Sequence, residues 1–409
     1  MNKSKRFFKA VKNKQFDEAM KLLKKCPNVN YKDKYGDSPL MWACENGNFE
    51  LVNALINANA DVNVVNIHKY TPLHAACGSG DIDMASVLIK KGAHLEATMA
   101  DGKTPLMFAA ANGSLEIVEL LLRHKAEIDF ADGSGNTPLI IAVINESPEI
   151  AKAKKDIALL LMENGADVNA ANGQRYTPLH AACGYGNTDI VTVLIKKGAH
   201  LEATMADGKT PLMLACEYGH KEIVEILVSN NVAVNSVDAN GNTPLIFAAA
   251  NGSLEIVEIL LRKKADLSIE NKDGKDAWWK ACDNNHHYVT GYIRQLRKSE
   301  ELIREREKLK QEGKEETKEW LEKRLGRKVE YTWIRHTIQG DYDERGEGEF
   351  KSIGVLQKRK NRFCVTFEDG SYDFLKRQLP KYCNIDDEEL YWGYRTTWHV
   401  SNRYILRCV

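Results

Sequence analysis

The sequence predicts a mostly α protein: a solenoid of helical repeats, then a charged helix, then a small β-rich barrel. Three observations carry this. A short motif returns at a fixed period through the first 297 residues, the run from 298 to 328 is dense in lysine, arginine and glutamate, and the remainder alternates β-type residues. At 409 residues and 43% hydrophobic content, the chain can bury more than one core.

The recurring motif is Ser38-Pro39-Leu40, which comes back as Thr-Pro-Leu at 71, 104, 137, 177, 210 and 243 and in degraded form as Asp276-Ala277-Trp278. Every step is 33 residues except the 40 from 137 to 177. Inside a unit such as DGKTPLMFAAANGSLEIVELLLRHKAEIDF, apolar residues recur at helical spacing after the proline and again from Leu115 to Leu122, with a glycine between. Each unit therefore reads as two short antiparallel helices. The proline opens the first helix, where its missing N–H costs nothing, and the preceding threonine caps it. The connecting stretch, as in ADLSIENKDGKD, has the Asp/Asn-Gly chemistry of a hairpin finger.

These residues resemble the ankyrin-repeat family, whose signature stands intact as Thr71-Pro72-Leu73-His74-Ala75-Ala76 and Thr177-Pro178-Leu179-His180-Ala181-Ala182. The resemblance implies the organisation that follows. Residues 1–37 form an N-terminal capping unit, in which Phe7, Phe8, Val11, Phe16, Ala19, Leu22 and Leu23 make two amphipathic stretches among lysines. Residues 38–297 hold seven near-complete repeats and a degenerate closing one. His74 and His180 are expected to bond from repeat to repeat.

Two tracts are nearly identical, YTPLHAACGSGDIDMASVLIKKGAHLEATMADGKTPLM from Tyr70 and YTPLHAACGYGNTDIVTVLIKKGAHLEATMADGKTPLM from Tyr176, so a block of repeats has been duplicated. The extra residues around NESPEIAKAKKDIALLL fall between the helices of the fourth repeat and are expected to lengthen a helix. In two fingers Met99 and Met205 stand where the family has Asp or Asn, which predicts looser fingers or added contact area.

In the family, partners lie in a concave groove built from fingertips and first helices. Carried onto this sequence, that groove would expose Tyr35, His68, Tyr70, Gln174, Tyr176, Tyr185, Glu217 and Tyr218. Tyrosine suits an interface because it buries a rigid ring and keeps a hydroxyl for hydrogen bonding. Tyr70, Tyr176, Tyr185 and Tyr218 are the candidates for partner contact, against the alternative that they brace neighbouring fingers.

Residues 298–328 carry eleven basic and nine acidic residues and no proline, the composition of a solvated helix rich in Glu/Lys pairs. Their apolar positions are too irregular for a coiled-coil seam, so a semi-rigid spacer is expected. In residues 329–409, Val329 to Ile338, Ile353 to Gln357, Arg362 to Phe367 and Ser371 to Leu375 read as strands, with one or two more beyond Pro380. This stretch resembles a small SH3-like barrel of the Tudor kind. That resemblance implies an aromatic cage for a methylated lysine at Trp333, Phe367 and Asp369, although Ser371 and Ser352 stand where further cage aromatics are usual.

Composition narrows the function classes. Lysine and arginine together number 57, as do aspartate and glutamate, so no global field steers the chain onto nucleic acid or an anionic membrane. No secretory leader and no bilayer-length apolar run is present, which predicts an intracellular protein, cytoplasmic or nuclear. Five of the nine cysteines, Cys44, Cys77, Cys183, Cys216 and Cys282, recur six residues into each repeat and read as small core residues. No phosphate loop, zinc spacing or hydrolase motif occurs, and the stretch from Asp341 fails as a calcium loop at Arg345 and Ser352. The expectation is a non-enzymatic, monomeric adaptor without cofactor, gripping a protein partner with the solenoid and making a second contact through the C-terminal module. The alternative expectation is a chromatin- or nucleic-acid-associated reader that uses the C-terminal barrel.

Overall fold

The computed structural model describes residues 3–25, 28–144, 148–301 and 304, together with the backbone of seven strands between 328 and 408. The chain divides into two compact units, Met1–Tyr292 and Ile293–Val409.

A two-helix cap, Lys3–Lys12 and Phe16–Leu23, is followed by helix pairs that we number as repeats 1 to 8. The first helices are Pro39–Glu45, Pro72–Ser79, Pro105–Ala111, Pro138–Val143, Pro178–Gly184, Pro211–Glu217, Pro244–Asn251 and Ala277–Asp283. The second helices are Phe49–Asn57, Ile82–Lys90, Leu115–Arg123, Ala151–Glu163, Thr188–Lys196, Lys221–Ser229, Leu254–Arg262 and 287–301. Each first helix starts where the sequence predicts it. Ser38 Oγ accepts from the Met41 N–H at 3.2 Å, Thr71 Oγ1 from His74 at 3.3 Å, and in repeat 8 Asp276 takes the same role toward Trp279 at 3.0 Å. The caps are themselves buried, Ser38 at 1% and Thr104 at 0% exposure, so an unsatisfied hydroxyl there would be costly.

The core is the seam between helix layers. Leu40, Leu73, Leu106, Leu139, Leu179, Leu212 and Leu245, the third residue of each motif, are all at most 2% exposed, and Leu55, Leu88, Leu121, Leu194 and Leu227 meet them from the second helices at 0%. Cys44, Cys77, Cys183 and Cys216 lie in the same seam, and burial pushes their thiols well above the ordinary range. At the N-terminal end, Phe7 and Val11 are fully buried, and Lys12 sits 4.4 Å over the Trp42 ring and 3.5 Å from Asp33, tying the cap to repeat 1.

Fingers are joined by a backbone ladder. Ile67 N donates to Tyr35 O at 2.9 Å, Ala100 N to His68 O at 2.9 Å, Gly133 N to Asp101 O at 2.8 Å, and the pattern continues to Lys272 N on Asn240 O at 2.8 Å. This approach requires glycine at Gly102, where φ is 84° and a Cβ would lie 2.5 Å from the Gly133 nitrogen. At the equivalent place in repeats 2 and 5 stand Lys69 and Arg175, both held at φ 58°. Side chains reinforce the ladder where they can: Asn66 Nδ2 donates to Asp37 at 2.9 Å, Asn172 to Asn136 at 2.8 Å and Asn271 to Asn242 at 2.8 Å. Met99 and Met205 occupy the matching position and have no such group to offer, so their fingers lack this amide bond and are held by the backbone ladder and by other side chains, such as Arg175 donating to Thr204 Oγ1 at 3.1 Å.

The inserted residues lengthen the second helix of repeat 4 to 13 residues, while its first helix is cut to 6. The shortened helix leaves carbonyls open, and two side chains close them. Lys154, itself 7% exposed, donates to Ile144 O at 2.6 Å, and Asn187 donates to Val143 O at 3.3 Å.

In the second unit, strands β1 (Lys328–Thr337), β2 (Gly346–Arg359), β3 (Arg362–Phe367), β4 (Tyr372–Phe374), β5 (Tyr382–Ile385), β6 (Glu389–Thr396) and β7 (Val400–Cys408) form one antiparallel sheet in the order β4-β3-β2-β1-β7-β6-β5. β2 is much longer than the five residues expected from 353 to 357, and three strands rather than one or two follow Pro380.

Candidate protein-binding surface

One face of the solenoid carries the finger residue just before each Thr-Pro and, eight positions later, the end of the first helix. In repeats 2 and 5 this pair is Tyr70 with Gly78 and Tyr176 with Gly184. The tyrosine hydroxyls lie close to these glycines: a Cβ at Gly78 would be in ordinary contact with the Tyr70 hydroxyl at 3.9 Å, and one at Gly184 with that of Tyr176 at 3.7 Å. Each ring stacks on the signature histidine, Tyr70 on His74 at 5.6 Å and Tyr176 on His180 at 5.8 Å between centroids.

The histidines bond across repeats. His74 Nε2 is 3.1 Å from Lys103 O and His180 Nε2 is 3.2 Å from Lys209 O, and a carbonyl can only accept, so Nε2 carries the proton in both. Nδ1 is then the acceptor from the Thr71 and Thr177 hydroxyls at 2.7 and 2.8 Å. Burial is the main force that lowers both imidazoles to about 4, so they are neutral near pH 7. Burial also raises the Tyr70 and Tyr176 hydroxyls above their ordinary value, with Glu45 adding to it for Tyr70 and Tyr185 and Tyr218 for Tyr176.

Tyr176, Tyr185 and Tyr218 come together in repeats 5 and 6. A Cβ at Gly184 would meet both the Tyr176 hydroxyl at 3.7 Å and Tyr218 Cε2 at 3.9 Å, and Tyr185 follows Gly184 directly. Tyr176 is half-buried, whereas Tyr185 and Tyr218 show 40% and 58% of their surface to solvent. Tyr218 stacks on His220 at 6.4 Å, whose Nε2–H is held by the Gly184 carbonyl at 3.1 Å. Glu217 is half-buried in an ion pair, receiving Lys209 Nζ at 3.0 and 2.8 Å, while that ammonium also lies 5.2 Å over the Phe247 ring. Desolvation opposes the charge on Lys209, and Glu217 more than offsets it, so the ammonium is held above its ordinary range.

Tyr35 and His68 lie on adjacent fingertips of repeats 1 and 2, both exposed, with Lys34 over the Tyr35 ring at 4.6 Å. Gln174 is an exposed fingertip whose carbonyl accepts from Ala206 N at 2.9 Å. Tyr35, His68 and Tyr70 thus belong to repeats 1 and 2, apart from the repeat 5 and 6 group. Beyond Glu217 the face opens into a cleft lined by Asn242, Ile246, Phe247, Ala250, Asn251 and Lys280, most of which the sequence reading does not single out. Among the described residues, no cluster of His, Cys, Asp and Glu has the makings of a metal site, and no helix is long and apolar enough to cross a membrane.

A family model described as Ankyrin repeats (3 copies) matches residues 7–99, 94–170, 151–238 and 228–298, which together span more than half of the chain. The chain belongs to the ankyrin-repeat family. No curated protein matches it. The ankyrin matches begin within the cap and take in the degenerate repeat 8, so the lost threonine and leucine at 276 and 278 do not end the array.

The ankyrin matches stop at 298, before the expected cage. Backbone register places Trp333 opposite Phe350 on β2 and Tyr404 on β7, and Phe367 opposite Gly354. The cage itself, as an arrangement of the Trp333 and Phe367 side chains and Asp369, lies outside the described residues.

Proposed function

We infer that this ankyrin-repeat protein is a non-enzymatic, intracellular adaptor that holds a protein partner on its finger and first-helix face. The observation that carries the reading is the group formed by Tyr176, Tyr185 and Tyr218: two rings more than a third exposed, set beside a third that is anchored on His180. Rigid, half-supported tyrosines lose little entropy on contact and present both a π face and a hydroxyl, the profile of an interface anchor. A second contact through the C-terminal module is part of the same reading.

Affinity purification with the full chain and with its Tyr185→Ala/Tyr218→Ala variant tests the reading. The expected outcome is a specific set of bound proteins that the variant loses, with unchanged helical circular dichroism. Retention of the same proteins by the variant would remove the tyrosine group from the interface.

A further inference from the structure

The cleft beyond Glu217 has an origin that the repeat register explains. The finger position before Thr-Pro and the position eight residues on are occupied in repeat 6 by Lys209 and Glu217, an ion pair at 2.8 Å, and in repeat 8 by Lys275 and Asp283, an ion pair at 2.5 Å. In repeat 7 the same two places hold Asn242 and Ala250. Asn242 turns its amide to its neighbours, donating to Asp238 at 3.1 Å and accepting from Asn271 at 2.8 Å. With only a methyl group from Ala250 where the neighbouring repeats place a carboxylate side chain, a hollow of about 440 Å³ remains. Its floor is apolar, from Ile246, Phe247 and Ala250, and Asn251, Glu217 and Lys280 form the walls.

The charges of the cleft are unequal. Glu217 is matched by Lys209, and the Phe247 ring already has that ammonium 5.2 Å from its centroid, so the site has little to offer a second cation. Lys280 is half-buried in the wall and has no carboxylate at ion-pair distance among the described residues. Asn251 donates Nδ2–H to the Glu217 carbonyl at 3.1 Å, which leaves its Oδ1 to accept from a peptide N–H. A hollow of this size with an apolar floor and one convergent cation selects a side chain and a charge together.

We propose that the cleft of repeats 6 to 8 is the specificity pocket of the partner-binding face, taking an extended protein segment that places an aliphatic or aromatic side chain over Ala250 and an adjacent aspartate or glutamate on Lys280. This rests on the reading of that face as the partner site and adds the chemistry of the partner. A partner rich in arginine or lysine is the opposite prediction.

The test is selection of a random peptide library displayed on phage against the full chain, with the enriched peptides titrated onto the full chain and its variants. Enriched peptides are expected to carry an apolar residue beside Asp or Glu. Their affinity is expected to fall about tenfold with Ala250→Leu, which fills the hollow, and about tenfold with Lys280→Glu, which repels the acid. Lys280 is a surface-facing position, so its variant reports even if Ala250→Leu disturbs the helix, and circular dichroism melting checks both. Enrichment of basic or uncharged peptides, or affinity unmoved by Lys280→Glu, overturns the proposal. If such peptides are lost with Tyr185→Ala/Tyr218→Ala, the cleft assignment fails and the partner-face reading stands. If nothing is enriched, or what is enriched is indifferent to every one of these changes, both fail.

Discussion

His74 and His180 each join two repeats through a ring that must stay uncharged: Nε2–H serves the next finger's carbonyl and Nδ1 receives the capping threonine. Burial lowers both from an ordinary 6.5 to about 4, so between those values the unfolded chain takes up protons that the folded chain refuses. Their contribution is therefore flat above pH 6.5, falls as pH drops toward 4, and levels below it; the loss amounts to roughly 3 kcal/mol per ring. Urea denaturation at pH 7 and pH 4.5 checks this, with His74→Gln/His180→Gln expected to flatten the pH dependence of stability. At this scale the histidines were legible only through the ankyrin signature they belong to, which implies a bond from repeat to repeat. The sequence was ambiguous about the tyrosines. Tyr70 and Tyr176 are half-buried against their signature histidines, with Phe108 of repeat 3 also edge-on to Tyr70 at 5.9 Å, while Tyr185 and Tyr218 are exposed; the residue type alone does not mark that division.

Fingers and helix ends are where the regular repeat meets exceptions, and each exception has a measurable cost. Lys69 is held at φ 58° where most repeats use glycine, and its side chain is exposed. Lys69→Gly removes the left-handed strain and is expected to raise stability by about 0.5–1 kcal/mol, read from the urea midpoint. Lys154 closes the Ile144 carbonyl at the end of a six-residue helix. Lys154→Met keeps the buried stem and removes the donor, so a loss of about 2 kcal/mol is expected, with faster amide exchange in residues 138–163 than elsewhere in the solenoid. The lengthened helix was legible from IAKAKKDIALLL, but its buried lysine was not, since pattern alone assigns lysine to solvent. The cleft was illegible for a related reason. It is made by what repeat 7 omits at Asn242 and Ala250, and a small residue signals nothing until the ion pairs on either side, Lys209 with Glu217 and Lys275 with Asp283, are seen to use the same two positions.

On the scale of the molecule, the periodic part and the rest differ in how far sequence leads. The seven repeats that start at Ser38, Thr71, Thr104, Thr137, Thr177, Thr210 and Thr243 share one rule, a Thr or Ser cap followed by Pro and Leu, and so could be placed residue by residue. The β unit has no repeat to check one strand against another, and short alternating runs fix neither strand length nor neighbours: β2 extends from Gly346 to Arg359, and β1 lies between β2 and β7, the last strand in the chain. For the solenoid, contact with a partner from its finger and first-helix face is the central claim. Photocrosslinking from single sites of the full chain measures it most directly, with a benzophenone amino acid placed at Tyr185, Tyr218 or Asn251 and, as the comparison, at Glu225, which is exposed on the second helix of repeat 6. The account predicts that one partner is captured from the first three positions and none from Glu225; capture from Glu225 with none from the other three would contradict it.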